Sequence, residues 1–267
     1  MKVTPKQNIK KCGEESSFDS NISNAIDVPA PAPLFRCASW PVNKVAEKPN
    51  ASDLGEYLQP CCANLLLMAE LFEADVYAFD YSGYGYSSGK PSEANIYADI
   101  RAVYNFVRKS RPEKKIVLIG FSLGTATVSD MAASRPEGLA GVVLVAPFTS
   151  ALRLLGDSPY KPKTCTLDRF NTYDKVGEIT VPLLVCHGTQ DETIEVGHGL
   201  EIVRRARRAV PPLIVDEANH ITIFNGSICR HLLEFGGEII YYNVESVETV
   251  IVKRALVVQQ VRVRALT

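Results

Sequence analysis

Five short apolar runs recur along the chain: DVYAFDYSG (75–83), KIVLIG (115–120), GVVLVAPF (141–148), VPLLVCHG (181–188) and PPLIVDE (211–217). Each is nearly continuous rather than alternating, the pattern of parallel strands covered on both faces. Helical patterns separate them. SEANIYADIRAVYNFVRKS opens on Ser92, an N-cap candidate behind Pro91, and repeats apolar residues at Ile96, Ile100, Val103 and Val107. LGTATVSDMAAS follows the second run, and HGLEIVRRARRA precedes the fifth. Strands and helices alternating at these lengths predict right-handed βαβ units, hence an α/β fold with a mostly parallel sheet and helices on both faces.

The two ends read differently from this middle. Residues 1–49 carry Pro5, Pro29, Pro31, Pro33, Pro41 and Pro49 and a Ser/Asn-rich stretch, with no apolar run of strand length, which predicts an irregular or disordered segment. The α/β core is expected over 50–238. The tail, 239–267, is Val-rich and β-prone, yet Val244, Val247, Ile251, Ala255 and Val258 also fit one helical stripe. Periodicity leaves both structures open there.

Composition narrows the function classes. Hydrophobic residues make up 46% of the 267, enough for a sizeable core. Lys plus Arg (29) nearly cancels Asp plus Glu (30), so the basic footprint of a nucleic-acid binder is absent. No apolar run approaches the roughly 18 residues of a bilayer span, and MKVTPKQNIKK lacks the apolar stretch of a secretory signal. Seven Cys at spacings that match neither a zinc site nor a disulfide framework predict free thiols in a reducing, cytoplasmic compartment.

Candidate chemistry sits at the ends of the runs. Gly120-Phe121-Ser122-Leu123-Gly124 is G-x-S-x-G between a strand and a helix, the sequence form of a nucleophile elbow. A strained turn of this kind lifts a Ser122 Oγ above the sheet, and the helix that follows aims the Leu123 N–H at developing negative charge. A serine nucleophile needs a base, and the base an orienting acid, in the chain order Ser, Asp or Glu, His. Asp191 in HGTQDETI and His220 in EANH each follow an apolar run, as active sites at the carboxyl ends of parallel strands require. Glu192 is the fallback acid, because Asp216 and Glu217 lie too near His220 in sequence to orient it. His187, His198 and His231 read as packing or capping residues, and Arg204, Arg205, Arg207 and Arg208 as a solvated helix face. Asp53 reads as an N-cap. Cys12 beside Lys10 and Lys11 reads as a surface thiol, though acylation there would add a membrane signal.

The motifs NASDLG, FDYSGYGYSSGKPSEANIYADI, GFSLGT, HGTQDETI, GHGLEIVRRA and EANH, in this order over about residues 50–235, resemble the α/β-hydrolase domain-containing protein 17 family. The resemblance implies an α/β-hydrolase fold and a serine hydrolase that removes palmitate from cysteines of peripheral membrane proteins. Its site would be at the cytosolic face of plasma or endosomal membranes, through an acyl-enzyme on Ser122 with Asp191 as acid and His220 as base. S-acylated proteins would be the substrates, with possible membrane-surface contact, no nucleic-acid partner, and no metal or organic cofactor; the oligomeric state is left open. Rival readings are a lipid esterase or aminopeptidase of the same fold, or a catalytically impaired hydrolase-like chain.

Two departures from the family pattern set further expectations. Only Cys12 and Cys37 stand before residue 50, fewer than the family's N-terminal acylated cluster. The family's sheet, in the order 1-2-4-3-5-6-7-8, would make DVYAFDYSG strand 4 and KIVLIG strand 5, with strand 3 between them. ASWPVNKVAEKP makes a poor central strand, so N-terminal strands are expected to be missing from an N-terminally truncated or variant form. Strands 4 and 5 are then expected to expose unpaired edges or to pair directly. Asn50 becomes the candidate for the second oxyanion N–H, badly placed, with poor turnover the consequence.

Overall fold

The structure, a computed structural model, describes residues 35–36, 69, 74–156, 158–162, 164–224 and 255–261. Of the two compact units into which the chain divides, Met1–Ala30 and Pro31–Thr267, all described residues belong to the second. The expected strand–helix alternation is realised. After the short β1 (Phe35–Arg36) come β2 (Asp75–Ala78), α1 (Glu93–Ser110), β3 (Ile116–Ser122), α2 (Leu123–Ala133) and β4 (Leu139–Val145). Two short helices, α3 (Ala151–Leu155) and α4 (Thr172–Lys175), precede β5 (Leu183–Gly188), α5 (Val196–Arg205), β6 (Leu213–Val215) and β7 (Ala255–Val261).

Local signals explain the helices. The Ser92 Oγ caps α1 by accepting the Asn95 N–H at 3.1 Å, and the helix buries Ile96, Ile100, Val103 and Val107, the stripe read from the sequence. The strands are covered on both faces, as their continuous apolar runs require. Ile116 and Leu118 of β3 join Val142 and Leu144 of β4 and the α1 stripe in one core. Val117, Ile119 and Phe121 join Val143, Val145 and Cys186 in the other. Between β4 and β5 the described α-helices have five and four residues.

The sheet order is β1-β2-β7-β3-β4-β5-β6, parallel from β2 to β6, with β1 antiparallel at its edge. Within the segment 1–49, Phe35–Arg36 forms a two-residue strand paired with Tyr77 and Ala78. One expectation is corrected: the strands read as 4 and 5 (β2 and β3) neither expose inner edges nor pair with each other. Ala255–Val261, from the tail whose periodicity was ambiguous, lies between them as β7. A strand placed in mid-sheet satisfies ladder groups on two neighbours at once, which outweighs its equal fit to a helical stripe.

Candidate active site

Ser122 ends β3 and starts the turn into α2, with φ 51° and ψ −118°. A non-glycine residue in this region is strained, and such strain persists only where the surroundings over-determine it. The local sequence supplies that. A Cβ on Gly120 would stand 2.5 Å from the carbonyl oxygen of Gly124 and 2.8 Å from the nitrogen of Thr125, so only glycine lets strand and helix approach this closely. The Thr125 hydroxyl donates to the Ser122 carbonyl and holds the turn. Leu123, the first residue of α2, presents its N–H in the first helical turn, where backbone donors lack intrahelical acceptors.

Asp191 and His220 come from loops after β5 and β6. Gly188 brings these loops together, because a Cβ there would sit 2.1 Å from the Ala218 carbonyl oxygen. His220 Nδ1 lies 2.7 Å from Asp191 Oδ2, and both residues are buried. The other carboxylate oxygen of Asp191 accepts the N–H groups of Thr193 (2.9 Å) and Ile194 (2.8 Å). Burial alone would raise the Asp191 pKa; the hydrogen bonds from His187, His220 and the Ile194 backbone outweigh it and hold the carboxyl well below the usual range. Asp191 therefore stays ionised and fixes His220 with Nδ1 as the donor. Glu192, the fallback acid, is exposed.

That pairing leaves His220 Nε2 free to act as a base. Ser122 Oγ and His220 Nε2 are both buried, and neither has a hydrogen-bond partner among the described residues. Further side chains surround these groups. The Phe121 ring lies beside the imidazole of His220, centroids 4.8 Å apart and planes tilted 34°, and meets Phe224 edge-on at 4.9 Å. His187 Nε2 bonds the Ile194 carbonyl at 2.8 Å and lies 3.5 Å from Asp191 Oδ2. His198 Nδ1 meets the Thr149 hydroxyl at 2.8 Å, and burial, followed by the charges of His187 and Arg153, pulls its pKa down to about 4. The local packing reading suits His187 and His198, but the contact of His187 with Asp191 was not visible in spacing alone.

Of the arginine run, Arg204, Arg207 and Arg208 are exposed, as expected of a solvated face, and Arg205 is half-buried. Arg204 pairs with buried Glu201 at 2.6 Å, Arg205 donates to the Tyr173 carbonyl and covers its ring, and Arg208 donates to the Thr180 carbonyl. Buried Arg153 stacks on the same Tyr173 ring, 3.9 Å from its centroid, and ties the 149–169 segment through Lys161, Thr164 and Asp168. The Asn50 donor, Asp53, Cys12, Cys37 and His231 lie outside the described residues.

A strained serine between a parallel strand and a helix, with an Asp–His pair on the next strand ends, is the arrangement of the α/β-hydrolase fold, and the chain has that fold. A family model described as alpha/beta hydrolase fold matches residues 49–160. Est1E of Butyrivibrio proteoclasticus, solved with ferulic acid bound, superposes with a TM-score of 0.54 at 17% identity, covering 66% of this chain and 83% of that one. A Pyrococcus furiosus esterase superposes at 0.52 and 22% identity, covering 67% and 74%.

Within that class, the resemblance read from the motifs holds: the chain is similar to alpha/beta hydrolase domain-containing proteins 17B and 17C. The human 17C protein is 43% identical over 174 residues, 64% of this chain and 50% of the relative. The chain thus spans about half the length of the curated relatives it matches.

Proposed function

We propose that the chain is a serine hydrolase that cleaves long-chain acyl thioesters on protein cysteines, palmitoyl groups above all. The observation that supports this reading best is the pairing of an ionised, hydrogen-bonded Asp191 with His220 while Nε2 of His220 and Oγ of Ser122 stay buried and unpartnered. In an unliganded site such groups await a reacting atom. His220 takes the Ser122 proton as Oγ attacks the thioester carbonyl, and the Leu123 N–H stabilises the oxyanion. The cysteine sulfur leaves with the proton from His220, and an acyl-serine remains. Water, deprotonated by His220, then releases the fatty acid and restores Ser122.

The substrates of this reading are S-acylated peripheral membrane proteins, met at the cytosolic face of a membrane. The short helices between β4 and β5 leave the site without a deep cap, which suits an acyl chain presented on a protein. A fluorophosphonate should label the chain at Ser122, and Ser122→Ala should remove the label. The chain untreated with the probe should hydrolyse palmitoyl thioesters well ahead of peptide amides, and prior labelling should abolish that turnover. Labelling that survives Ser122→Ala removes the site assignment; amide cleavage without thioester cleavage removes the substrate class.

A further inference from the structure

β2 and β3 flank a gap one strand wide. They are consecutive parallel strands joined through α1, and they make no ladder with each other. The gap holds Ala255–Val261. On one side Asp75–Ala78 pairs with Ala255–Val258; on the other the whole of β3, Ile116 to Ser122, pairs with Ala255 to Val261. Two features make this more than a filler. First, among the described strands β1 and β2 join the rest of the sheet only through β7. Second, the ladder with β4 stops at Phe121, paired with Val145, whereas the ladder with β7 continues one residue further, to Ser122 opposite Val261. Ser122 therefore meets its sheet partner on the β7 side alone, at the residue whose φ of 51° must be held by its surroundings.

We propose that the gap between β2 and β3 is a strand-binding site whose ligand is this chain's own C-terminal segment, Ala255–Val261, and that its occupancy makes Ser122 a competent nucleophile. With the site empty, β2 and β3 present unpaired N–H and C=O groups in mid-sheet, and the strand end that carries the elbow loses one wall. The recognition chemistry is β-augmentation: an extended, β-branched segment gains main-chain hydrogen bonds on both edges. The sequence ALVVQQV has that character, and the cationic residues on either side, Lys253, Arg254, Arg262 and Arg264, keep such a segment soluble when it is out of the slot. The site accordingly accepts the same segment supplied as a separate peptide. The functional half of this inference rests on Ser122 being the nucleophile; the structural half does not.

Two full-length variants test it. In Ile119→Cys with Val258→Cys, the cysteines stand at paired positions of neighbouring strands, roughly 4.8 Å apart, within the range a disulfide spans. Mild oxidation should link them, read by mass spectrometry, while Ile119→Cys alone gives no such link. Val258→Pro removes a ladder N–H in mid-strand and should slow fluorophosphonate labelling of Ser122 at least tenfold. A peptide of residues 253–264 should restore labelling in a dose-dependent way, and the same peptide carrying proline at the Val258 position should not. Labelling of Val258→Pro at the unaltered rate overturns the proposal, as does a cysteine pair that stays unlinked in a labelled chain. If Val258→Pro aggregates, the cross-link decides. If the unaltered chain takes no label at all, the nucleophile reading fails, and the cross-link still tests the strand's place.

Discussion

At the scale of single residues, the site is a chain of orientations. Thr193 and Ile194 N–H groups and His187 hold Asp191; Asp191 fixes the tautomer of His220; Phe121 lies against its ring and is itself met edge-on by Phe224. Asp191→Asn should keep the geometry but offer an amide where the imidazole needs an acceptor. The expected result is a fall in kcat of about three to four orders of magnitude, from the wrong tautomer, with KM little changed. A variant turning over within tenfold of the parent would mean that Asp191 does not orient the base. The motif residues Ser122, Asp191 and His220 were legible in the sequence because chain order and strand-end position constrain them. His187 was not, because its partner is a carboxylate brought back by the turn after β5, and spacing alone does not show which way that turn closes.

At the scale of elements, the junction of β3 and α2 carries the design. Gly120 faces backbone, not a side chain that can swing away: the Gly124 carbonyl at 2.5 Å and the Thr125 nitrogen at 2.8 Å from a would-be Cβ. Gly120→Ala must therefore push strand and helix apart. Overpacking of this kind costs roughly 1–3 kcal/mol, and displacing a nucleophile by about 1 Å lowers turnover on the order of a hundredfold. Thermal unfolding and steady-state kinetics on the variant check both effects; an unchanged midpoint and kcat would show that the close approach is dispensable. The five apolar runs became strands because continuous apolar sequence of this length finds cover on both faces only inside a helix-flanked sheet. The Arg204–Arg208 run is exposed at Arg204, Arg207 and Arg208, as charge on a surface usually is, while Arg205 is half-buried over the Tyr173 ring, a contact that spacing does not show.

At the scale of the whole molecule, buried histidine sets an acid limit to stability. His198 is buried, and its pKa is drawn from 6.5 to about 4. The unfolded chain binds a proton there between these values and the folded chain does not, so stability is full above pH 6.5 and is lost as pH falls towards 4. The loss from this group is at most about 3 kcal/mol. Asp191 acts at lower pH: with its folded pKa depressed, its contribution is present above its ordinary value of 3.8 and disappears only as pH falls below that. Thermal midpoints from pH 7 to pH 4 should fall, and His198→Gln should flatten that slope. An equal slope in the variant would assign the acid sensitivity elsewhere.

What the sequence determined by itself was local or constrained by order: the alternation of strands and helices, the Ser92 cap, the strained turn at Ser122, and the succession of Ser122, Asp191 and His220 at strand ends. Those follow from periodicities of two to four residues and from glycines that a close backbone approach demands. Which segment would fill the space between β2 and β3 was decided only in three dimensions. ALVVQQV suits a helix stripe or a strand equally in isolation, and a two-residue strand at Phe35–Arg36 carries almost no signal. The choice fell to the pairing of backbone groups on two strand edges more than a hundred residues away in sequence, a long-range term that no local window contains.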